Sequence, residues 1–102
     1  PAITAVFTCS DAMALGVYDA LAARGLRVPT DVSVVGFDDT PEAQWARPSL
    51  TTVRQPTAQM GAMAVRRLLE IARADGNEPR SRSHLELSTD LVIRASTSQA
   101  AK

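Results

Sequence analysis

Aromatic side chains are scarce in this chain: one Trp, one Tyr and two Phe, 4% of 102 residues. Any core must therefore be assembled from Ala, Val, Leu, Ile and Met. A single cysteine, Cys9, excludes a disulfide framework and any zinc site built on cysteines. Net charge is also missing, since 11 Lys and Arg stand against 11 Asp and Glu. A free-standing nucleic-acid binder needs a basic face to neutralise phosphates, and this balance argues against one. No run of about 20 apolar residues is present to span a membrane. Nor does a charged segment, apolar stretch and small-residue cleavage site open the chain, which begins at Pro1–Ala2–Ile3, already inside a predicted strand. What remains is ordinary globular composition, 45% hydrophobic and 22% charged. A chain of this length makes one domain and buries roughly 60–65% of its unfolded surface.

The pattern alternates strands and helices. Ile3–Thr8 is short, apolar and β-branched, as a buried strand is. The run DAMALGVYDALAARG predicts a helix of about four turns, with Ser10 as N-cap, Asp11 at the positive end of the helix dipole and Gly25 as the left-handed stop. Gly16, in mid-helix, implies close packing at that point. The helix shows two apolar faces, Met13/Val17/Leu21 and Leu15/Tyr18/Ala22, one to cover a sheet and one for another surface. Val32–Phe37 reads as a second strand covered on both faces. Pro41–Arg47 is a short helix opened by Pro41 and ended by Pro48, and Leu50–Gln55 is a third strand.

Thr57–Asp75 predicts the second long helix, with Met60, Ala64, Val65, Leu68, Leu69 and Ala72 on one stripe and Gly76 as its stop. Asn77–Ser83 reads as a polar loop. The alternation from Leu85 to Ile93 is that of a strand or strand pair, and the tail from Ser96 reads as frayed. Interleaved strands and helices imply a parallel sheet in a three-layer α/β/α arrangement.

Ligands of such sheets bind beyond the carboxyl ends of the strands. Three stretches lie there: Cys9–Ser10–Asp11, Asp38–Asp39 and Arg54–Gln55. A carboxylate presents two acceptor oxygens and can hold two vicinal hydroxyls of a sugar, which makes Asp38 the leading candidate. The competing reading is that these aspartates cap the helix at Pro41, a role assigned here to Asp39. Gln55 both donates and accepts, and either contacts hydroxyls or stabilises its loop. Acid–base or metal chemistry would require Asp11 to converge with Asp38. Ser10 lacks the glycine-flanked elbow of a nucleophile, and the one His, His84, falls in a polar stretch as a solvated or edge residue. Cys9 reads as a small buried apolar residue. Gly16, Gly36 and Gly61 make no phosphate loop. Arg66–Arg67, near Glu70 and Asp75, is an exposed mixed face. Trp45 is either a lid over the core or an exposed anchor, and with Leu15 and Tyr18 it points to a subunit contact.

Four stretches in order, FTCSDAMALG, RVPTDVSVVGFDD, PSLTTVRQP and DLVIRAST, resemble the effector-binding core of the LacI/GalR transcription regulators, from about Thr4 to Thr97. The resemblance implies a two-lobed fold like that of periplasmic sugar-binding proteins, of which this is the C-terminal third. Residues 1–54 would be part of the C-terminal lobe, 55–89 a segment of the N-terminal lobe, and 90–102 a return strand and tail. Asp38 matches the family's hydroxyl-binding aspartate and Gln55 a polar hinge position that often faces ligand. Ser10 stands where the family usually has Asn and is the third candidate ligand residue, and Asp11 keeps the motif's acid as a structural cap. Leu15, Tyr18, Trp45 and Ala46 match dimer-interface positions.

The implied protein is a cytoplasmic sensor of a small molecule, a sugar or similar polyhydroxy ligand. It is a homodimer or higher homo-oligomer, with operator DNA bound only through a helix-turn-helix outside this chain. No cofactor, no membrane and no catalysis are implied. The alternatives are a transport-type sugar-binding protein of the same fold and a small enzyme using Asp11 and Asp38. By itself the chain is expected to bind no operator and little or no effector, and to open, aggregate or pair through Met60/Val65/Leu68.

Overall fold

The computed structural model describes residues 3–74 and 84–100. Its elements are β1 (Ala5–Phe7), α1 (Asp11–Ala23), β2 (Ser33–Asp38), α2 (Pro41–Trp45), β3 (Thr51–Arg54), α3 (Thr57–Arg73) and β4 (Asp90–Val92). The chain divides into two compact units, Pro1–Gln55 with Asp90–Lys102, and Pro56–Thr89.

In the first unit the strands lie in the order β1-β2-β3-β4. β1, β2 and β3 run parallel, with Phe7 beside Val35 and Asp38 beside Arg54. β4 pairs antiparallel with β3, placing Asp90 beside Arg54. The sheet is therefore predominantly parallel, as the alternation of elements predicts, with one reversed edge. Of the expected strand from Leu85 to Ile93, only 90–92 forms. A strand needs a hydrogen-bonded neighbour, which 52–54 supplies to β4, whereas 84–89 take no regular structure.

The helix ends follow local chemistry. The Ser10 hydroxyl accepts from the Met13 N–H at 3.1 Å, which is the predicted N-cap. At the other end Gly25 takes φ 70°, its N–H reaches the Ala22 carbonyl at 3.0 Å, and the Leu26 N–H reaches that of Leu21 at 2.9 Å. This paired closure needs the left-handed residue that glycine supplies without steric cost. Pro41 sits in the first turn of α2, as expected.

The core is small. Ala14, Val34, Ala43 and Leu50 are fully buried, and Val17, Tyr18, Leu21 and Val28 pack against them. The sheet-covering stripe of α1 is thus Ala14/Val17/Tyr18/Leu21, which takes residues from both expected apolar faces, and Met13 is exposed. Gly16 has open space where its Cβ would be, so among the described residues the expected close packing is not found there. Gly36 is the glycine under real constraint. A Cβ there would stand 2.9 Å from Leu50 Cδ2 and overlap the Asp11 carboxylate.

The last segment is pinned rather than frayed. Ser96 is buried, its hydroxyl donates to the Val34 carbonyl at 2.6 Å and accepts from the Thr51 N–H at 2.8 Å, and its own carbonyl accepts from the Val34 N–H. Ser98 extends the attachment to the Ser33 hydroxyl at 3.1 Å.

In the second unit, α3 carries the expected apolar stripe with none of its residues buried. Met60, Val65, Leu68 and Leu69 are all exposed, and Arg67 pairs with Glu70 at 3.2 Å on the polar side. The expected continuation to Asp75, the Gly76 stop and the loop Asn77–Ser83 lie outside the described residues. No described helix is long and apolar enough to cross a membrane.

Candidate functional site

Three aspartates stand at the carboxyl ends of the strands, and the fold gives each a different environment. Asp11, in the first turn of α1, is 0% exposed. Its Oδ1 accepts from the Thr52 hydroxyl at 2.6 Å, and its Oδ2 accepts from the Thr40 N–H at 2.7 Å and the Thr40 hydroxyl at 3.2 Å. One side chain thereby ties the start of α1 to β3 and to the turn after β2. Its carboxylate is a structural tie, with partners across the sheet rather than in its own helix as a cap would have.

Asp39 is not the cap of α2. The N-cap is Thr40, and it makes no side-chain capping bond. Instead the Asp39 carboxylate lies between two guanidinium groups, Arg94 Nη2 on Oδ1 and Arg54 Nε on Oδ2, each at 2.7 Å. The Asp39 side chain is 11% exposed and that of Arg94 14%. Burial pushes the Asp39 carboxyl up, but the hydrogen bonds and charges of Arg54 and Arg94 outweigh it and hold the group below the usual carboxylate value.

Asp38, the last residue of β2, takes φ 123°, and Asp39 takes φ 59°. Two successive non-glycine residues with positive φ are uncommon, and such backbone concentrates at functional positions. Among the described residues the Asp38 carboxylate has one hydrogen-bond partner, the Gln55 amide, whose Nε2 donates to Oδ1 at 2.8 Å. Both residues are half-buried. An ionised carboxylate accepts about four hydrogen bonds. Asp38 is thus the strand-end carboxylate with acceptor capacity to spare, whereas Asp11 is fully enclosed and Asp39 is neutralised.

Ser10, the third predicted ligand residue, is half-buried with its hydroxyl engaged as helix cap. Its neighbour Asp11 is hydrogen-bonded to Thr40 in the turn after Asp38. Cys9 is exposed, contrary to the expected burial. His84 is exposed as expected, with Nε2 3.0 Å from Glu86 Oε1. Among the described residues, no three His, Cys, Asp or Glu side chains gather as a metal site would require.

Of the predicted contact residues, Trp45 is 72% exposed, which does not fit a lid over the core. Leu15, Tyr18 and Ala46 are half-buried. The Tyr18 hydroxyl donates to the Pro48 carbonyl at 2.8 Å, and burial raises its pKa against the opposing effect of a hydrogen bond with Ser96.

Residues 1–97 match the family model of the periplasmic binding protein-like domain. The chain belongs to that family. It is 50% identical over 97 residues to the HTH-type transcriptional regulator MalR of Streptomyces coelicolor, an alignment covering 95% of this chain and 27% of the relative. Among solved structures, the complex of the transcriptional regulator CelR with cellobiose matches with TM-score 0.82 and 43% identity, over 91% of this chain and 28% of that one. The lac repressor dimer bound to operator and an anti-inducer matches with TM-score 0.81 and 37% identity, over 92% and 32%. The chain is therefore similar to LacI-type transcription regulators and spans about a quarter to a third of their length. The likeness to transcription regulators agrees with the sequence resemblance.

Proposed function

We propose that this chain is the effector-sensing C-terminal part of a LacI-type transcription regulator, with Asp38 and Gln55 as its contribution to the ligand site. The carrying observation is the Asp38–Gln55 pair, 2.8 Å apart at the strand ends, on a carboxylate that keeps acceptor capacity to spare among the described residues. The ligand is a small polyhydroxy molecule. Two vicinal hydroxyls donate to the Asp38 oxygens, while the Gln55 amide holds the carboxylate and offers its own oxygen to a further hydroxyl. Ser10 borders the site through its backbone and Asp11. The cellobiose complex of a structural neighbour supports the sugar class.

The breaks at Gln55/Pro56 and Thr89/Asp90 support an assignment of 1–54 to the C-terminal lobe, 55–89 to the N-terminal lobe and 90–102 to the return strand and tail. Leu15, Tyr18, Trp45 and Ala46 form part of a homodimer contact, for which an exposed Trp beside apolar neighbours is the expected anchor. Effector binding favours one arrangement of the lobes and so shifts the DNA affinity of a helix-turn-helix outside this chain, acting through differential affinity for two states. The protein is cytoplasmic and catalyses no reaction. The regulators among its relatives favour this reading over a transport-type sugar-binding protein of the same fold.

The test is calorimetric titration of the full-length regulator with cellobiose, glucose and ribose, repeated with Asp38→Ala and Gln55→Ala. Loss of two charge-assisted hydrogen bonds predicts that Asp38→Ala weakens binding by about a hundredfold or more. Gln55→Ala is expected to weaken it by about tenfold. Sugar affinity unchanged in Asp38→Ala refutes the assignment.

A further inference from the structure

We propose that Asp39 and Arg94 act as a positioning pair, holding the backbone of Asp38 in its left-handed conformation and so fixing the direction of the ligand-facing carboxylate. This inference rests on the reading of Asp38 as the ligand residue. Its physical basis is separate.

The backbone at Asp38 (φ 123°) and Asp39 (φ 59°) lies in a region that side chains with a Cβ rarely occupy. Neither residue is glycine, so the conformation persists only where its surroundings over-determine it. The contacts supply that determination on each side. At the first residue of the strained pair, Asp38 is in register with Arg54 on β3. After it, the Thr40 N–H is held by the buried Asp11 carboxylate at 2.7 Å. Between them, Asp39 is gripped by Arg94 Nη2 and Arg54 Nε at 2.7 Å each.

Arg94 is the better-placed of the two cations. Its side chain is 14% exposed, against 53% for Arg54. Its second terminal nitrogen, Nη1, donates to the Leu50 carbonyl at 2.9 Å, so the guanidinium is fixed to the residue before β3 and to Asp39 at once. A planar fork with two separate acceptors fixes direction as well as distance, which a lysine ammonium does not. The exposed Arg54 pair is screened by water and contributes less. Arg94 lies 55 residues from Asp39 in sequence, so the loop carrying the ligand residue is set by the segment just after β4.

An ordinary stabilising ion pair would change stability alone. A positioning pair also changes the backbone angle at Asp38. The experiment reads the three-bond HN–Hα coupling of Asp38 by NMR and the affinity for cellobiose, glucose and ribose, both in the full-length regulator. The variants are Arg94→Met, Arg94→Lys, Asp39→Asn and the double variant Arg94→Met with Asp39→Gly. Arg94→Met is expected to move the Asp38 coupling and weaken sugar binding about tenfold or more, with Arg94→Lys intermediate. Adding Asp39→Gly is expected to recover part of the coupling and affinity, because glycine adopts positive φ without an anchor. Should Arg94→Met fail to fold, the isosteric Asp39→Asn carries the same readouts.

An Asp38 coupling unchanged in a folded Arg94→Met or Asp39→Asn variant overturns the proposal whatever the sugar affinity does. A moved coupling with sugar affinity unchanged overturns it as well, because the carboxylate direction then does not govern binding. Failure of the parent regulator to bind any of the three sugars counts against the ligand class alone, and the coupling still decides whether the pair positions Asp38.

Discussion

Replacing Asp11 with Ala removes a buried side chain that joins α1, β3 and the turn after β2. The parent carboxylate accepts three hydrogen bonds, from the Thr52 hydroxyl at 2.6 Å and from the Thr40 N–H and hydroxyl at 2.7 and 3.2 Å. Hydrogen bonds to a charged acceptor contribute about 1.5–3 kcal/mol each, and the two short ones together about 3–6. Removing a buried carboxylate also relieves its desolvation cost, which offsets part of that loss. The expected net destabilisation is about 3–4 kcal/mol, a large share of the total of about 5–15 typical of a single domain. In urea, with a slope of about 1.5 kcal/mol per M, the midpoint falls by about 2 M. Asp11→Asn keeps one acceptor oxygen, and the Thr52 hydroxyl can turn to accept from the new amide, so its cost is about 1–2 kcal/mol. Thr52→Val supplies the cycle: it is expected to cost about 1–2 kcal/mol less in the Asp11→Ala background than in the parent. An Asp11→Ala protein within about 1 kcal/mol of the parent, or equal Thr52→Val costs in both backgrounds, refutes the reasoning.

Gly36→Ala forces its new methyl group toward Asp11 and Leu50, so urea denaturation is expected to show a loss of about 1–3 kcal/mol. Ser96→Ala strips the Val34 carbonyl and the Thr51 N–H of a side-chain partner, an expected cost of about 2–4 kcal/mol by the same assay. Asp39 has a folded pKa below its ordinary value of 3.8, so the folded state binds this proton less readily than the unfolded state. Its contribution is complete above about pH 5 and is lost as pH falls through 3.8 toward the lowered folded value. Asp39→Asn should therefore show a smaller drop in stability between pH 7 and pH 3 than the parent, and an equal drop would contradict the assignment.

The parts of the fold legible in the sequence are those with local causes. The Ser10 cap, the Gly25 stop and the Pro41 start each act within one helical turn, and all three stand where their chemistry places them. Asp38 and Gln55 are legible for a topological reason: residues just past adjacent parallel strands in register must be neighbours. What escaped was long-range pairing. Asp11 meets Thr52 across 41 residues, Arg94 meets Asp39 across 55, and Ser96 meets Val34 across 62. No periodicity encodes such distances. A signal was nevertheless present in the stretch DLVIRAST, because a charged Arg94 directly after an apolar strand needs a buried partner if the segment is covered. The same pairing explains why Asp39 does not cap α2: two guanidinium groups hold a carboxylate more strongly than one backbone N–H.

The helix α3 makes the clearest case for an element that needs partners from outside its own unit. It has 17 residues, an apolar stripe, Gly61 in its second turn, and no buried residue. Isolated helices of about this length are marginal in water, and a mid-helix glycine costs about 1 kcal/mol more. Most helical stability in proteins comes from packing an amphipathic face, and here Met60, Val65, Leu68 and Leu69 are exposed. In the 102-residue chain, hydrogen exchange should accordingly find the α3 amides protected far less than those of Val34–Gly36 in β2, the strand that pairs with β1 on one side and β3 on the other. In the full-length regulator, where the proposed N-terminal lobe supplies the missing surface, α3 protection should rise by about two orders of magnitude while that of β2 changes little. Equal protection of α3 and β2 in the short chain would mean that the helix is stable without that lobe, and would remove this support for assigning 55–89 to it.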